Sequence, residues 1–224
     1  MSCLVTLARA ADDAHDAHDV AHEITGRAAA ALGVPGHVSY VGASASSLRS
    51  VVAAAREPSV VVPLLLSTAH HLLHDLPQAA AGAEHPMSVT PALGPHPLVA
   101  AAQAARLIAA GARPGQPVVM VAIGSSDPAV DAHLERAAAL LSDTWTGSVE
   151  LATLEGRGRR VGEVLRRGMV VSPYLLSPGA DAVRVREQSR AAGALVVADV
   201  IGAHRFVADL VARRYRISAQ ASAA

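Results

Sequence analysis

Short β-branched runs alternate with longer Ala- and Leu-rich stretches of helical period along the whole chain, the pattern of βαβ units around a parallel sheet. Strands are predicted to begin near Leu4, His37, Val60 and Ser88 in the first half, and near Val118, Ser148, Met169 and Leu195 in the second. Gly33-Val34-Pro35-Gly36 and the stretch 110–117 (AGARPGQP) interrupt the pattern as natural breaks.

The chain also matches itself. LVTLARAADD from Leu4 corresponds to VVMVAIGSSD from Val118, VVPLLLST from Val61 to VVSPYLLSP from Val170, and VTPALGPHPLVAAAQAARL from Val89 to VADVIGAHRFVADLVARRY from Val197. Three matches in the same order indicate an internal duplication. The expected fold is α/β with two similar lobes, 1–112 and 113–224, each a small parallel sheet flanked by helices. Lobes joined this way are expected to leave a crevice between their strand ends for a small molecule.

Composition narrows the chemistry. The 224 residues are 51% hydrophobic but only 2% aromatic, so the cores rest on Ala, Val and Leu, and stacking platforms for single-stranded nucleic acid are lacking. The 19 basic residues, all arginine, balance 19 acidic ones, which gives no broad field to attract nucleic acid or a membrane surface. One cysteine, Cys3, excludes an internal disulfide framework and a multi-cysteine zinc site. The amino terminus shows neither a basic leader nor a long apolar stretch, and no apolar run is long enough to span a bilayer. A soluble cytoplasmic protein, monomeric or homodimeric, is the expectation.

The densest chemistry lies in VVVPLLLSTAHHLLHDLP, from Val60 to Pro77. An apolar strand ends in Ser67 and Thr68, and then delivers His70, His71, His74 and Asp75 where an α/β sheet places its ligand crevice. On a helix His71 and Asp75 share a face at i,i+4, as do His70 and His74. Neutral imidazole suits iron, cobalt, nickel and zinc, and titrates near neutrality, so the segment points to metal binding, proton transfer or both. Gly124-Ser125-Ser126-Asp127 follows a strand and precedes a helix. Its backbone N–H groups suit either an anionic substituent or a helix cap. Without a GxGxxG pattern or a P-loop lysine, no nucleotide site is expected. His96 and His204 stand in equivalent turns before helices, where capping is the simplest role. His15, His18 and His22 recur near one helix face. With Asp12 or Asp19 they could complete a nitrogen and oxygen site for zinc, nickel or cobalt, although the run ADDAHDAHDVAHE also reads as a solvated face.

Taken together, the Val60–Pro77 stretch, the turns Gly94-Pro95-His96 and Gly202-Ala203-His204, Gly124-Ser125-Ser126-Asp127-Pro128 and VVSPYLLSPG from Val170 resemble the class II metal chelatases, the sirohydrochlorin chelatase and cobaltochelatase group of siroheme and cobalamin biosynthesis. The resemblance spans the chain in the long, two-lobed form of that family. It implies insertion of a divalent metal, iron or cobalt with nickel as a third option, into a carboxylate-rich tetrapyrrole between the lobes, without nucleotide hydrolysis. His71 matches the family's histidine after the third strand, with Asp75 and Pro77 closing the motif, so His71 and Asp75 are the expected catalytic pair. His71, His70 and His74 are the expected metal ligands. Arg9, Ser67, Thr68, Gly124, Ser125 and Ser126 are the expected substrate contacts.

The chain departs from the family after its first two strands. Arg9 stands where the family has a first histidine, and Gly42 where many members have an acidic residue. An arginine stays protonated and cannot ligate a metal. In the second half Ile123 corresponds to Arg9 and Asp181 to His71. The alternative function is therefore a catalytically silent homologue that binds a tetrapyrrole or carries a metal. A periplasmic-type small-ligand binder shares the lobed architecture, but the missing leader disfavours it.

Overall fold

Each apolar run becomes a strand within one residue of its predicted start. β1 (Cys3–Arg9), β2 (Gly36–Val41), β3 (Ser59–Pro63) and β4 (Met87–Val89) form one sheet in the order β2-β1-β3-β4. β5 (Val118–Ala122), β6 (Val149–Thr153), β7 (Val170–Pro173) and β8 (Val196–Val197) form a second, in the order β6-β5-β7-β8. Every neighbouring pair is parallel. These strands come from a computed structural model of the chain, which describes residues 2–9, 15–41, 57–67 and 85–222. Leu4, Val5 and Leu7 of β1 and Val118 to Val121 of β5 have no exposure at all, as central strands of a parallel sheet covered on both faces require.

The helices are α1 (His15–Leu32), α2 (Pro97–Ala109), α3 (Pro128–Trp145), α4 (Val161–Val164), α5 (Ala180–Ala191) and α6 (Arg205–Ala221). Their ends follow local chemistry. Pro97 and Pro128 open α2 and α3 where a helix has no use for an N–H, and His96 and Asp127 cap them by accepting from Leu98 N at 3.1 Å and Ala129 N at 2.9 Å. The capping role expected of His96 is therefore observed. α1 and α3 each stop at a left-handed residue, Gly33 (φ 68°) and Thr146 (φ 56°). Trp145 packs fully buried in the last turn of α3 and donates its indole N–H to Gln116 O at 2.8 Å.

The chain divides into two compact units, one of residues 1–93 with Arg205–Ala224, the other Gly94–His204. The expected boundary at 112/113 separates the sequence repeats, whereas the compact units exchange the repeats' closing helices. α2, which ends the first repeat, packs on α3 and β7; α6, which ends the second, packs on α1 and β3. Buried polar contacts anchor both. Gln103 of α2 donates to Ser172 Oγ of β7 at 2.9 Å, and Arg106 donates to Ile201 O at 3.0 Å. In the other unit Tyr215 of α6 donates to Ser2 O, Ser218 meets Ser88 at 2.8 Å, and Arg214 donates to Ala92 O at 3.3 Å. Arg106 and Arg214 occupy corresponding places in the two repeats, so each exchanged helix is tied to the loop after its sheet's last strand.

Candidate functional site

Strand order determines where a ligand fits. In each unit the chain leaves the first strand toward one sheet edge and the third strand toward the other, so the crevice opens above the carboxyl ends of β1 and β3, and of β5 and β7. Backbone bonds confirm that the two places correspond. Leu64 N donates to Leu7 O, and Tyr174 N to Val121 O, each at 2.8 Å.

In the first unit Arg9 ends β1 with its side chain exposed, and Ser67 lies half-buried in the bend after β3. Thr68, His70, His71, His74 and Asp75 lie outside the described residues, as does Gly42. Next to the β1 end, on β2, stands Tyr40, whose strand partner is Ala8. The imidazole of His18, from the first turn of α1, stacks on the Tyr40 ring with centroids 4.4 Å apart and planes 23° apart. Burial and, secondarily, the Asp19 carboxylate push the Tyr40 phenol above its usual pKa, so it remains protonated at neutral pH. The stack sits on the α1 face of the sheet, where Thr6 and Thr25 also meet at 2.6 Å. Arg9 falls one position on from Ala8 and points to the opposite face. Sequence reasoning placed His18 in a candidate cluster but missed Tyr40, because nothing in the spacing of either residue announces their contact.

The same places in the second unit carry different chemistry. Register and helix ends align Ile123 with Arg9, Asp131 with His18 and Thr153 with Tyr40. Asp181, the counterpart of His71, lies in the first turn of α5. An arginine engages each polar member of this set. Arg157 faces Asp131 at 3.6 Å, Arg160 donates to Thr153 Oγ1 at 3.1 Å, and Arg184 holds Asp181 at 2.9 Å while reaching Glu155 at 4.0 Å. A cation approaching here would meet guanidinium groups already paired with the only acidic side chains at these positions.

Gly124, Ser125 and Ser126 build the β5–α3 turn. Gly124 has φ 90°, and a Cβ there would lie 2.2 Å from Glu155 O. Ser125 Oγ accepts from Asp127 N at 3.1 Å, and Ser125 O accepts from Arg157 N at 3.1 Å. The Asp127 carboxylate already occupies the α3 amino terminus, so the geometry favours the helix cap over an anion cradle. Gly124→Ala is expected to destabilise the protein by about 2–3 kcal/mol, from a disallowed φ and a backbone collision, measurable by urea denaturation. Among the described residues no group of three or more His, Cys, Asp or Glu side chains is arranged to hold a metal ion, and no helix is long and apolar enough to cross a membrane.

A protein-family model named CbiX matches residues 8–110 and again 117–218, once for each repeat. The chain belongs to the CbiX family. This is the class II chelatase group that the strand-end motifs resemble, in its two-lobed form. Solved structures agree on the fold of this CbiX-family chain. SirB from Bacillus subtilis with Fe3+ superposes with a TM-score of 0.80 at 23% identity, over 99% of this chain and 97% of that one. The sirohydrochlorin chelatase SirB from Bacillus subtilis subspecies spizizenii, in complex with cobalt, gives 0.78 at 22% identity, over 98% and 96%. CbiX, described as the terminal enzyme for biosynthesis of siroheme in denitrifying bacteria, gives 0.70 at 16% identity, over 96% and 99%. A search of curated protein sequences finds no match.

Proposed function

We propose that this CbiX-family chain is a cytoplasmic metal chelatase that inserts ferrous iron or cobalt into sirohydrochlorin, a carboxylate-rich tetrapyrrole. The observation that carries the reading is the family match across both repeats. The sequence motif around His71 supports it, since β3, the strand it follows in the chain, lies beside the strand-order reversal of the first unit. Arginine pairing at the corresponding positions of the second unit further favours the first unit as the place for the metal.

Insertion exchanges one divalent cation for the two pyrrole N–H protons of the free macrocycle, so the protein must hold a metal that still exchanges ligands and must accept protons. His71 takes the proton-accepting role and, with His70 or His74, presents the metal; Asp75, four residues on in the sequence, orients the His71 ring. Arg9 pairs with a carboxylate of the macrocycle rather than with the metal. Ser67 and Thr68 bond further peripheral oxygens.

The test is anaerobic insertion of Co2+ or Fe2+ into sirohydrochlorin, followed by absorbance. A rate well above the uncatalysed reaction is expected. A specific observation favours a second reading: Arg9 replaces the family's first histidine. A rate equal to background, with the macrocycle still bound, assigns the chain to that reading, a silent homologue that binds a tetrapyrrole or carries a metal.

A further inference from the structure

We propose that His18 and His22 of α1 form a two-imidazole loading site for a divalent first-row cation, with Tyr40 as the positioning residue that fixes the His18 ring. The inference rests on the chelatase reading for its purpose, but its geometry stands independently. His18 and His22 are both exposed and stand one turn apart at i,i+4, the spacing at which two imidazoles on a helix can share one metal.

Three observations distinguish this pair from a merely solvated helix face. First, the 4.4 Å stack holds the plane of an otherwise exposed imidazole. An exposed side chain normally samples several rotamers, and restricting one lowers the entropic cost of ligation. Second, His18 is exposed, and no hydrogen bond joins its ring nitrogens to another described residue. Third, the duplication supplies an internal comparison. At the places of His18 and Tyr40 the second unit has Asp131 and Thr153, each engaged by an arginine from the loop after β6. In the first unit Arg9 points to the opposite face of the sheet, so among the described residues it does not take that place.

Two nitrogen donors leave most of the coordination sphere to water. Such a site binds cobalt, nickel or zinc weakly enough to release it, as a cargo metal requires.

Co2+ titration without macrocycle, read by visible absorbance and equilibrium dialysis, tests the site separately from insertion. The measurement uses the full chain carrying His70→Ala, His71→Ala and His74→Ala together, so that binding at α1 is read apart from the histidines assigned to the metal after β3. Adding His18→Phe, which preserves a stacked ring but removes both nitrogens, is expected to abolish that binding, as is His22→Phe. Tyr40→Leu is expected to weaken it about tenfold, in the range for an outer-sphere partner, while Tyr40→Phe restores it because only the ring is needed. His37→Phe, at the far end of β2, serves as the control and leaves binding unchanged. Undiminished Co2+ binding in His18→Phe overturns the inference, as does Tyr40→Phe behaving like Tyr40→Leu. If the unsubstituted chain fails to insert cobalt yet its Co2+ binding depends on His18, the chelatase reading fails and the loading site stands.

Discussion

Replacing His71 with alanine is expected to reduce cobalt insertion into sirohydrochlorin by at least about 100-fold, in the range lost when a positioned proton acceptor is removed. The argument starts from strand order. In a β2-β1-β3-β4 sheet the reversal lies between β1 and β3, and the sequence that follows β3 is rich in histidine. The β1 side offers Arg9, which can neither accept a pyrrole proton nor ligate a metal. Removing His71 therefore removes a group that no described residue at the strand ends duplicates. His71→Asp is the sharper variant, because aspartate is what the second unit carries at the corresponding position. A carboxylate can bind a metal but is a weak base near neutrality, so this variant should retain Co2+ and still lose insertion. Insertion at the unsubstituted rate in both variants would remove His71 from the mechanism.

The largest expected effect on stability comes from Trp145→Ala, at about 3–5 kcal/mol. Trp145 is 2% exposed at the end of α3, and the cavity left behind would be lined by a core of Val, Leu and Ala that has few large side chains with which to refill it. The substitution also strips Gln116 O of its indole donor. For a chain of this size, thermal unfolding followed by circular dichroism should show a fall in Tm on the order of 10 °C. Trp145→Phe keeps most of the volume but not the hydrogen bond, and should cost about 1–2 kcal/mol. Because Trp145 is the only tryptophan, its fluorescence in the unsubstituted protein reports the unit Gly94–His204 selectively. An alanine variant melting with the unsubstituted protein would contradict the packing described for α3.

Strand positions were legible because a parallel strand covered on both faces must be apolar throughout, so β1, β3, β5 and β7 stand out as continuous runs. The duplication was legible for a related reason: two copies of one sheet need the same runs in the same order. Helix exchange was not legible, since the apolar face of α2 or α6 carries the same pattern whichever sheet it covers. At the site, local signals succeeded and long-range ones failed. Asp127 and His96 announced caps because capping acts over two residues. The Gly124 turn was ambiguous, since a glycine with positive φ serves an anion cradle and a close loop crossing equally well. The second did require it here, through Glu155 O. The pairing of Arg157, Arg160 and Arg184 with the second unit's polar positions, and the stack of His18 on Tyr40, join side chains that are near only after folding.

The exchange of α2 and α6 separates ancestry from mechanics in this chain. Cutting at the repeat boundary near residue 112 would yield two pieces that each lack the helix covering their own sheet and each carry one that fits the other. Selection on either copy therefore acts on residues in both: a change at Gln103 or Arg106, inherited with the first repeat, is felt by the sheet of the second. The two copies could diverge in chemistry, one keeping histidines and the other gaining arginine pairs, while remaining bound to a common fate in folding.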